Sequence, residues 1–260
     1  MTEFKVEIDN TYANVVKFGT GKRTLVILPG ISLQPIAGIG EAVEQAYSTF
    51  ADDYTVYLVD RRILMPESHT TRDMAQDVYE MMKSLGVEEA DVYGVSHGGM
   101  TAISLAAMHG DFVRKMVLCS SCIKADEKMR ENCKDWYRYS ESNDVVNLNR
   151  SFFQKVYSED FLKNYSAALE EAEKCGSNED CERFRILLRE CAAFDESSSA
   201  DKITCPVFVI WDVNDKIIGT EAGEELARML NAKVHVYESF SHAVYDEAPD
   251  IKERIKEFLL

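Results

Sequence analysis

Hydrophobic positions along this chain follow two periods. Residues 4–8 and 12–18 alternate apolar and polar and flank Asp9-Asn10, a turn-forming pair, so they predict a β-hairpin. Residues 24–28 are continuously apolar, as expected of a strand covered on both faces, and end at Pro29-Gly30. Residues 40–50 have helical spacing, and 54–59 form another buried strand. Over 71–85 the period is that of an amphipathic helix. Met74, Val78, Met81, Met82 and Leu85 share one side, and Gly86 is the stop. A strand over 90–95 follows, then a helix carrying Met100, Ile103, Leu105, Ala106, Ala107 and Met108 and ending at Gly110, then a strand over 115–119.

The alternation stops near Ile123. From there to about Ser199 only helical runs appear, over 126–139, 145–156, 159–174 and 179–194, and Ser197-Ser198-Ser199 reads as a linker. A strand over 206–211, a helix over 221–230, a strand over 233–238 and a closing helix over 249–260 restore the pattern. Strand–helix alternation implies an α/β fold: a mostly parallel sheet, here of eight strands, with helices on both faces. Residues 1–122 and 200–260 are expected to form its core and 123–199 an inserted helical segment. No internal repeat or low-complexity tract interrupts it.

With 260 residues, 46% of them hydrophobic, the chain suits one α/β domain with an insertion. Its net charge of −16 argues against nucleic acid and anionic membrane surfaces as partners. The charged, alternating start reads as a strand, not a signal peptide, and no apolar run approaches a membrane span, so a cytoplasmic location is expected. Seven cysteines cannot all pair within one chain. Cys119 and Cys122 follow a strand without thioredoxin-like surroundings and are expected to be reduced thiols. Cys175, Cys181 and Cys191 lack zinc-site spacing and are expected to be packing or surface thiols.

The strand over 90–95 runs straight into Gly94-Val95-Ser96-His97-Gly98-Gly99 and then a helix. Strand and helix pass so close at such a corner that small residues are needed two before and two after the turn. The corner residue is forced into a strained conformation that lifts its side chain clear of the sheet. Gly94 and Gly98 meet that need, and the pattern is Gly-x-Ser-x-Gly, the nucleophile elbow of α/β-hydrolases. A serine so held attacks a carbonyl once a base removes its proton. A tight turn whose serine only caps the helix is the alternative.

In open α/β sheets, sites form beyond the carboxyl ends of the strands. Ser96 follows one strand, Asp212 and Asp215 follow the strand ending at Trp211, and His242 follows the last. Serine, acid, histidine is the chain order this fold uses. A histidine base needs a carboxylate to fix its tautomer. Val213-Asn214 extends the acid loop toward His242, which favours Asp215, whereas Asp212 is expected to hold the turn through backbone amides. His69 and His235 are expected to be structural or surface residues, and His109 to complement its helix dipole as a partial cation. His97 opens the helix, so its side chain is expected to point away from the base. Its backbone amide is one candidate oxyanion donor, and the Ile31 amide, beside Gly30, is the other.

On these residues the chain resembles the α/β-hydrolase superfamily, in its small single-domain branch with a helical cap. The likeness covers nearly the whole length: the elbow 94–98, the loop Pro29-Gly30-Ile31, the acid loop 211–215, and Ser241-His242 before the last helix. It implies that Asp215 is the triad acid and that 123–199 is a cap over the site. Two features depart from the family pattern. Many relatives carry His-Gly where this chain has Pro29-Gly30. Many also carry Asp-x-Arg-Gly-x-Gly-x-Ser, whereas here Asp60-Arg61-Arg62 runs into Ile63-Leu64-Met65-Pro66-Glu67-Ser68, without either glycine. That loop must take another path, and Asp60 and Arg62 are expected to brace it.

The expectation is a serine hydrolase acting on a small acyl substrate, most simply a carboxylic ester, with Ser96, His242 and Asp215 as triad and no metal or organic cofactor. Phe152, Phe153, Tyr157, Phe161, Tyr165 and Phe184 would either wall the substrate or pack the cap helices together. The same triad could instead cleave carbon–carbon bonds, open lactones or remove N-terminal residues, and a small-molecule binder with little turnover is a further reading.

Overall fold

The computed structural model describes all of residues 1–260. Eight strands form one sheet: β1 (Thr2–Ile8), β2 (Thr11–Phe18), β3 (Arg23–Leu28), β4 (Tyr54–Arg62), β5 (Ala90–Val95), β6 (Val113–Cys119), β7 (Val207–Asp212) and β8 (Lys233–Tyr237). Their spatial order is β1-β2-β4-β3-β5-β6-β7-β8. The β1–β2 hairpin runs antiparallel, as does its junction with β4, and every later pairing is parallel.

Helices cover both faces. On one lie α2 (Thr71–Ser84), α3 (His97–Met108) and α9 (Thr220–Met229). On the other lie α1 (Gly40–Ala46) and α11 (Ile251–Leu259), with the single turn α10 (Val244–Glu247) before α11. The central strand β5 is buried at every residue, Asp91 included, whose carboxylate accepts from the Tyr54 hydroxyl at 2.9 Å. The α2 helix begins at a reciprocal cap, in which the Thr70 side chain accepts from the Asp73 amide and Asp73 from the Thr70 amide.

Between β6 and β7 the chain builds α4 (Glu127–Glu141), α5 (Val145–Val156), α6 (Glu159–Asn164), α7 (Ser166–Ala172) and α8 (Asn178–Ala193). The segment leaves and rejoins the sheet through a two-strand neck. Lys124 pairs antiparallel with Asp195, the Ala125 amide donates to the Phe194 carbonyl at 2.8 Å, and the Glu196 amide donates to the Ile123 carbonyl at 2.9 Å.

Several expected boundaries differ. The run over 159–174 breaks at Tyr165, whose ψ of 18° ends α6 and opens α7. The run over 40–50 gives α1 only to Ala46, then a separate 3-10 turn. Ser197-Ser198-Ser199 is no free linker but part of a 3-10 turn anchored by buried Glu196, which takes two bonds from Arg72 and one from Ser104. β4 runs on through Asp60-Arg61-Arg62 because β2 still pairs with it at Ala13–Arg62. Three charged residues therefore lie inside a strand. No helix is long and apolar enough to cross a membrane.

Candidate active site

Ser96 sits between β5 and α3 with φ 51° and ψ −120°, a conformation that costs a non-glycine residue about 1–3 kcal/mol. Its neighbours hold it there. The Ser96 amide donates to the Cys119 carbonyl at 2.8 Å, and the Ser96 carbonyl accepts from the Gly99 amide at 2.8 Å and the Ser121 hydroxyl at 2.9 Å. The glycine spacing has the cause expected of it. A Cβ on Gly94 would lie 2.6 Å from the Gly98 carbonyl oxygen, and one on Gly98 would lie 2.0 Å from the Leu28 carbonyl oxygen. Neither backbone can yield, so Gly98→Ala should destabilise the fold by about 2–3 kcal/mol. The check is a thermal midpoint lowered by several degrees.

The expected trio is brought together. His242 Nε2 lies 3.0 Å from Ser96 Oγ, and His242 Nδ1 lies 2.8 Å from Asp215 Oδ2. All three are buried, with Ser96 the most open at 7% exposure. Asp215 Oδ1 accepts from the Ile217 and Ile218 amides at 2.7 and 2.8 Å, so every donor facing this carboxylate is an N–H. His242 Nδ1 therefore carries a proton, and Nε2 is left to accept one from the serine hydroxyl. The histidine backbone is fixed by Ser120, whose hydroxyl donates to the His242 carbonyl at 2.7 Å.

Asp212 takes the structural part expected of it. Its Oδ1 accepts from the amide and side chain of Asn214, and its Oδ2 from the Ser239 and Phe240 amides at 3.1 and 2.8 Å. One carboxylate thus knits the acid loop to the histidine loop.

The two candidate amide donors also have supports. Gly30 passes close to Ser96; a Cβ there would lie 3.4 Å from Ser96 Cβ. Arg61 donates from Nη1 to the Gly30 carbonyl at 3.1 Å and from Nη2 to the Pro29 carbonyl at 2.7 Å. In a trans peptide the N–H points opposite the C=O. Gripping the Gly30 carbonyl therefore sets the direction of the Ile31 N–H. The same Nη2 lies 3.0 Å from His97 Nδ1, and His97 Nε2 lies 3.3 Å from the Thr71 hydroxyl. Arg61 can only donate, so Nδ1 accepts and the His97 ring is neutral. Burial, reinforced by the Arg61 charge, pushes its pKa well below the ordinary value. Burial also lowers Arg61 to about 10, which leaves it charged at neutral pH. The His97 ring points away from His242, as expected, and its amide occupies the first turn of α3, where helix N–H groups lack intrahelical partners.

Asp60 and Arg62 are structural, but their side chains bond to segments other than the 63–68 loop they were expected to brace. Asp60 accepts from the Ile36 amide at 2.7 Å and from Arg183 of α8 at 3.1 Å, and Arg62 pairs with Asp77 on α2. His69 is structural, 3.0 Å from the same Asp77. His235 lies in β8, edge-on to Tyr237. His109 corrects its expectation. It stacks on Tyr79 with ring centroids 3.7 Å apart, and burial lowers its pKa, so it is held as a neutral ring rather than a dipole-complementing cation. Six of the seven free cysteines are wholly or partly buried, and Cys175 is exposed. No cluster of three or more His, Cys, Asp or Glu side chains is arranged to hold a metal.

A cavity beside Ser96 is lined by Gly30, Ile31, Ile217, His242 and Tyr245 from the sheet side, and by Met129, Cys133, Trp136, Phe152 and Cys191 from the inserted helices. Of the six aromatics named from the sequence, only Phe152 reaches it. Tyr157, Phe161 and Tyr165 stack along α6, with centroids 4.3 and 4.4 Å apart. A larger groove of about 740 Å³ lies between α8 and the loop after β4, but none of Ser96, Asp215 or His242 lines it. Its arginines alternate with carboxylates, and it pairs no nucleophile with a base.

Sequence reasoning missed Ser120 and Ser121, although they stand just past β6, where the strand-end rule would have found them. It also missed Arg61, which lies past the strand end expected at residue 59 and has nothing in the sequence to set it apart from Asp60 and Arg62.

The family model described as the α/β hydrolase fold matches residues 24–249. A relative named "Putative carbamate hydrolase RutD", from a Caulobacter species, is 28% identical over 194 residues, 72% of this chain and 70% of its own. The mouse protein named serine hydrolase BPHL is 24% identical over 62% of this chain, and the match spans 56% of the mouse protein. Among solved structures, MGS-M2, an α/β hydrolase from a deep-sea metagenome library, superposes with a TM-score of 0.87 at 16% identity, over 98% of this chain and 97% of its own. The enol-lactonase of Burkholderia xenovorans gives 0.84 at 18%, over 98% and 99%. At such identities the structural likenesses carry the fold alone.

Proposed function

Because this chain belongs to the α/β-hydrolase fold family and is a hydrolase, we propose that it is a serine hydrolase cleaving a small acyl substrate, most simply a carboxylic ester. The observation that carries this reading is the hydrogen-bonded line Ser96–His242–Asp215 on a strained elbow beside a cavity. His242 takes the hydroxyl proton as Ser96 Oγ attacks the carbonyl carbon. The carbonyl oxygen, now negative, is held by the Ile31 and His97 amides. His242 then returns the proton to the leaving oxygen, and the acyl group remains on Ser96. Water repeats the sequence with His242 as base, releasing the acid and restoring the serine. Every proton is accounted for within the triad and water. Helices α4 to α8 act as the cap, presenting Trp136 and Phe152 to the reacting centre.

The relatives' names place a carbamate and a lactone beside aryl esters in the substrate panel, since each presents an acyl carbon to the same serine. A fluorophosphonate probe tests the reading directly: it should label the wild type at Ser96, with loss of ester turnover. A folded protein that never labels and turns over no member of the panel would leave a binder as the better reading.

Arg61 acts as a positioning residue in this scheme, through the Gly30 carbonyl and the His97 ring. Arg61→Met should lower kcat about 10- to 100-fold, somewhat less than deleting an oxyanion donor outright, with KM changed less than about threefold. Affinity for a boronic acid, which mimics the tetrahedral state, should fall with kcat. A loss expressed only in KM would remove Arg61 from this role.

A further inference from the structure

Scale poses a difficulty at the catalytic cavity. Its free space is about 20 Å³, close to what one water needs. An acyl group cannot be seated there with the side chains as they stand. Next to it lies a second cavity of about 230 Å³, bounded by Leu33, Leu148, Phe153, Ala172 and Phe184. Phe152 is the one residue that lines both. The loop after β3 runs along both floors, with Gly30 and Ile31 in the first cavity and Ser32, Leu33 and Gln34 in the second.

We infer that the second cavity is an acyl-chain subsite, and that the ring of Phe152 is the door between it and Ser96. Its occupant is the linear aliphatic chain of the acyl group. An apolar cavity of about 150 Å³ holds a six-carbon ring, so the space suits a chain of about six to eight carbons. The inference rests on the serine-hydrolase reading and narrows its substrate class to medium-chain acyl esters.

Three observations carry it. The first is direction. The second cavity continues from the first along the loop after β3, whose Gly30 and Ile31 flank Ser96 and whose Ser32, Leu33 and Gln34 follow directly, so a chain attached to the acyl carbon and running along that loop enters it. The second is polarity. The Ser32 hydroxyl is used on the Gln34 carbonyl at 2.7 Å, and the Asn149 amide reaches the carbonyls of Ala172, Glu173 and Cys175 at 3.3, 3.1 and 2.9 Å. These two polar side chains are satisfied within the protein and ask nothing of a ligand, while Gln34 and Cys175 are exposed at the solvent side of the lining.

The third is the nature of the door. The backbone of α5 is pinned on either side of Phe152, by Asn149 and by the Val156 carbonyl, which accepts from the Ala243 amide at 2.9 Å. The half-buried ring itself touches Trp136, Phe184 and Phe153, at centroid distances of 5.0, 6.0 and 6.3 Å. These are contacts without hydrogen bonds. The passage therefore opens by rotation of one side chain, with the helix in place.

The test is the kcat/KM series of p-nitrophenyl esters from acetate to dodecanoate. For the wild type, hexanoate or octanoate should exceed acetate by about tenfold or more, because each further buried methylene adds binding, and dodecanoate should fall away. Ala172→Trp, which fills the second cavity from its far wall, should lower the octanoate-to-acetate ratio by about 20-fold. Phe152→Ala, which removes the door, should raise that ratio several-fold. Inhibition by octylboronic against methylboronic acid should follow the same order and needs no turnover. A wild-type series that declines steadily from acetate, or an Ala172→Trp enzyme that slows acetate and octanoate equally, would overturn the subsite while leaving the serine hydrolase intact. Failure of Ser96 to label, with no ester cleaved, would instead strike the underlying reading and the subsite with it.

Discussion

Ser96→Ala should lower kcat for any ester substrate by about 10⁴- to 10⁶-fold, with the thermal midpoint nearly unchanged. The size follows from the position of the hydroxyl. It is the only atom of the site poised to form the acyl bond, with His242 Nε2 3.0 Å away as its base. No other nucleophile is ready to take over. The nearby thiols of Cys133 and Cys191 are buried, and the adjoining Cys133 thiol together with burial pushes Cys191 well above the ordinary thiol range. Stability is little affected because alanine meets the same backbone strain as serine, and the amide and carbonyl bonds that hold the turn are untouched. Turnover measured with a chromogenic ester, beside a thermal melt, separates the two effects. An alanine variant retaining a tenth of the activity would remove Ser96 from the chemistry.

Asp215→Asn should cost about 10⁴-fold in kcat, although it alters one atom. The Ile217 and Ile218 amides both donate to Oδ1, so the asparagine oxygen must stay there to receive them. Its NH₂ group is then forced toward His242 Nδ1. Two donors cannot share that contact, so the imidazole moves its proton to Nε2, which no longer accepts from Ser96. Asp212→Asn offers the contrast. It weakens bonds to four N–H donors on two loops and should cost about 2–4 kcal/mol of stability. Its effect on kcat should be far smaller than that of Asp215→Asn. Paired melts and kcat values for the two variants decide the matter, and equal kinetic losses would contradict the division of labour.

The fold and the three residues that meet at the candidate site are legible in the sequence for the same reason. Parallel strands covered on both faces read as short apolar runs, and chemistry gathers where those runs end. Ser96, Asp215 and His242 stand just past β5, β7 and β8, and the elbow glycines mark a backbone crowding that no other residue type tolerates. Even the choice between two aspartates followed from the reach of Val213-Asn214.

What stayed hidden depends on packing across long separations. Nothing local distinguishes Phe152, which faces Ser96, from Phe161, which stacks in α6. Both are aromatic positions on helices, and only the docking of α5 against α4 and α8 separates them. The grip of Arg61 on the Pro29 and Gly30 carbonyls joins β4 to the loop after β3, strands that lie adjacent only in the folded sheet. The neutral state of His109 likewise depends on Tyr79, thirty residues upstream.

The neck at Lys124 and Asp195 has a consequence for how such an enzyme can diversify. Because the two chain ends of the helical segment meet side by side, a different segment could be grafted there without repositioning β6 or β7. The serine, acid and histidine all belong to the scaffold beneath. Exchange of the upper storey would change what is cleaved while inheriting the machinery that cleaves it.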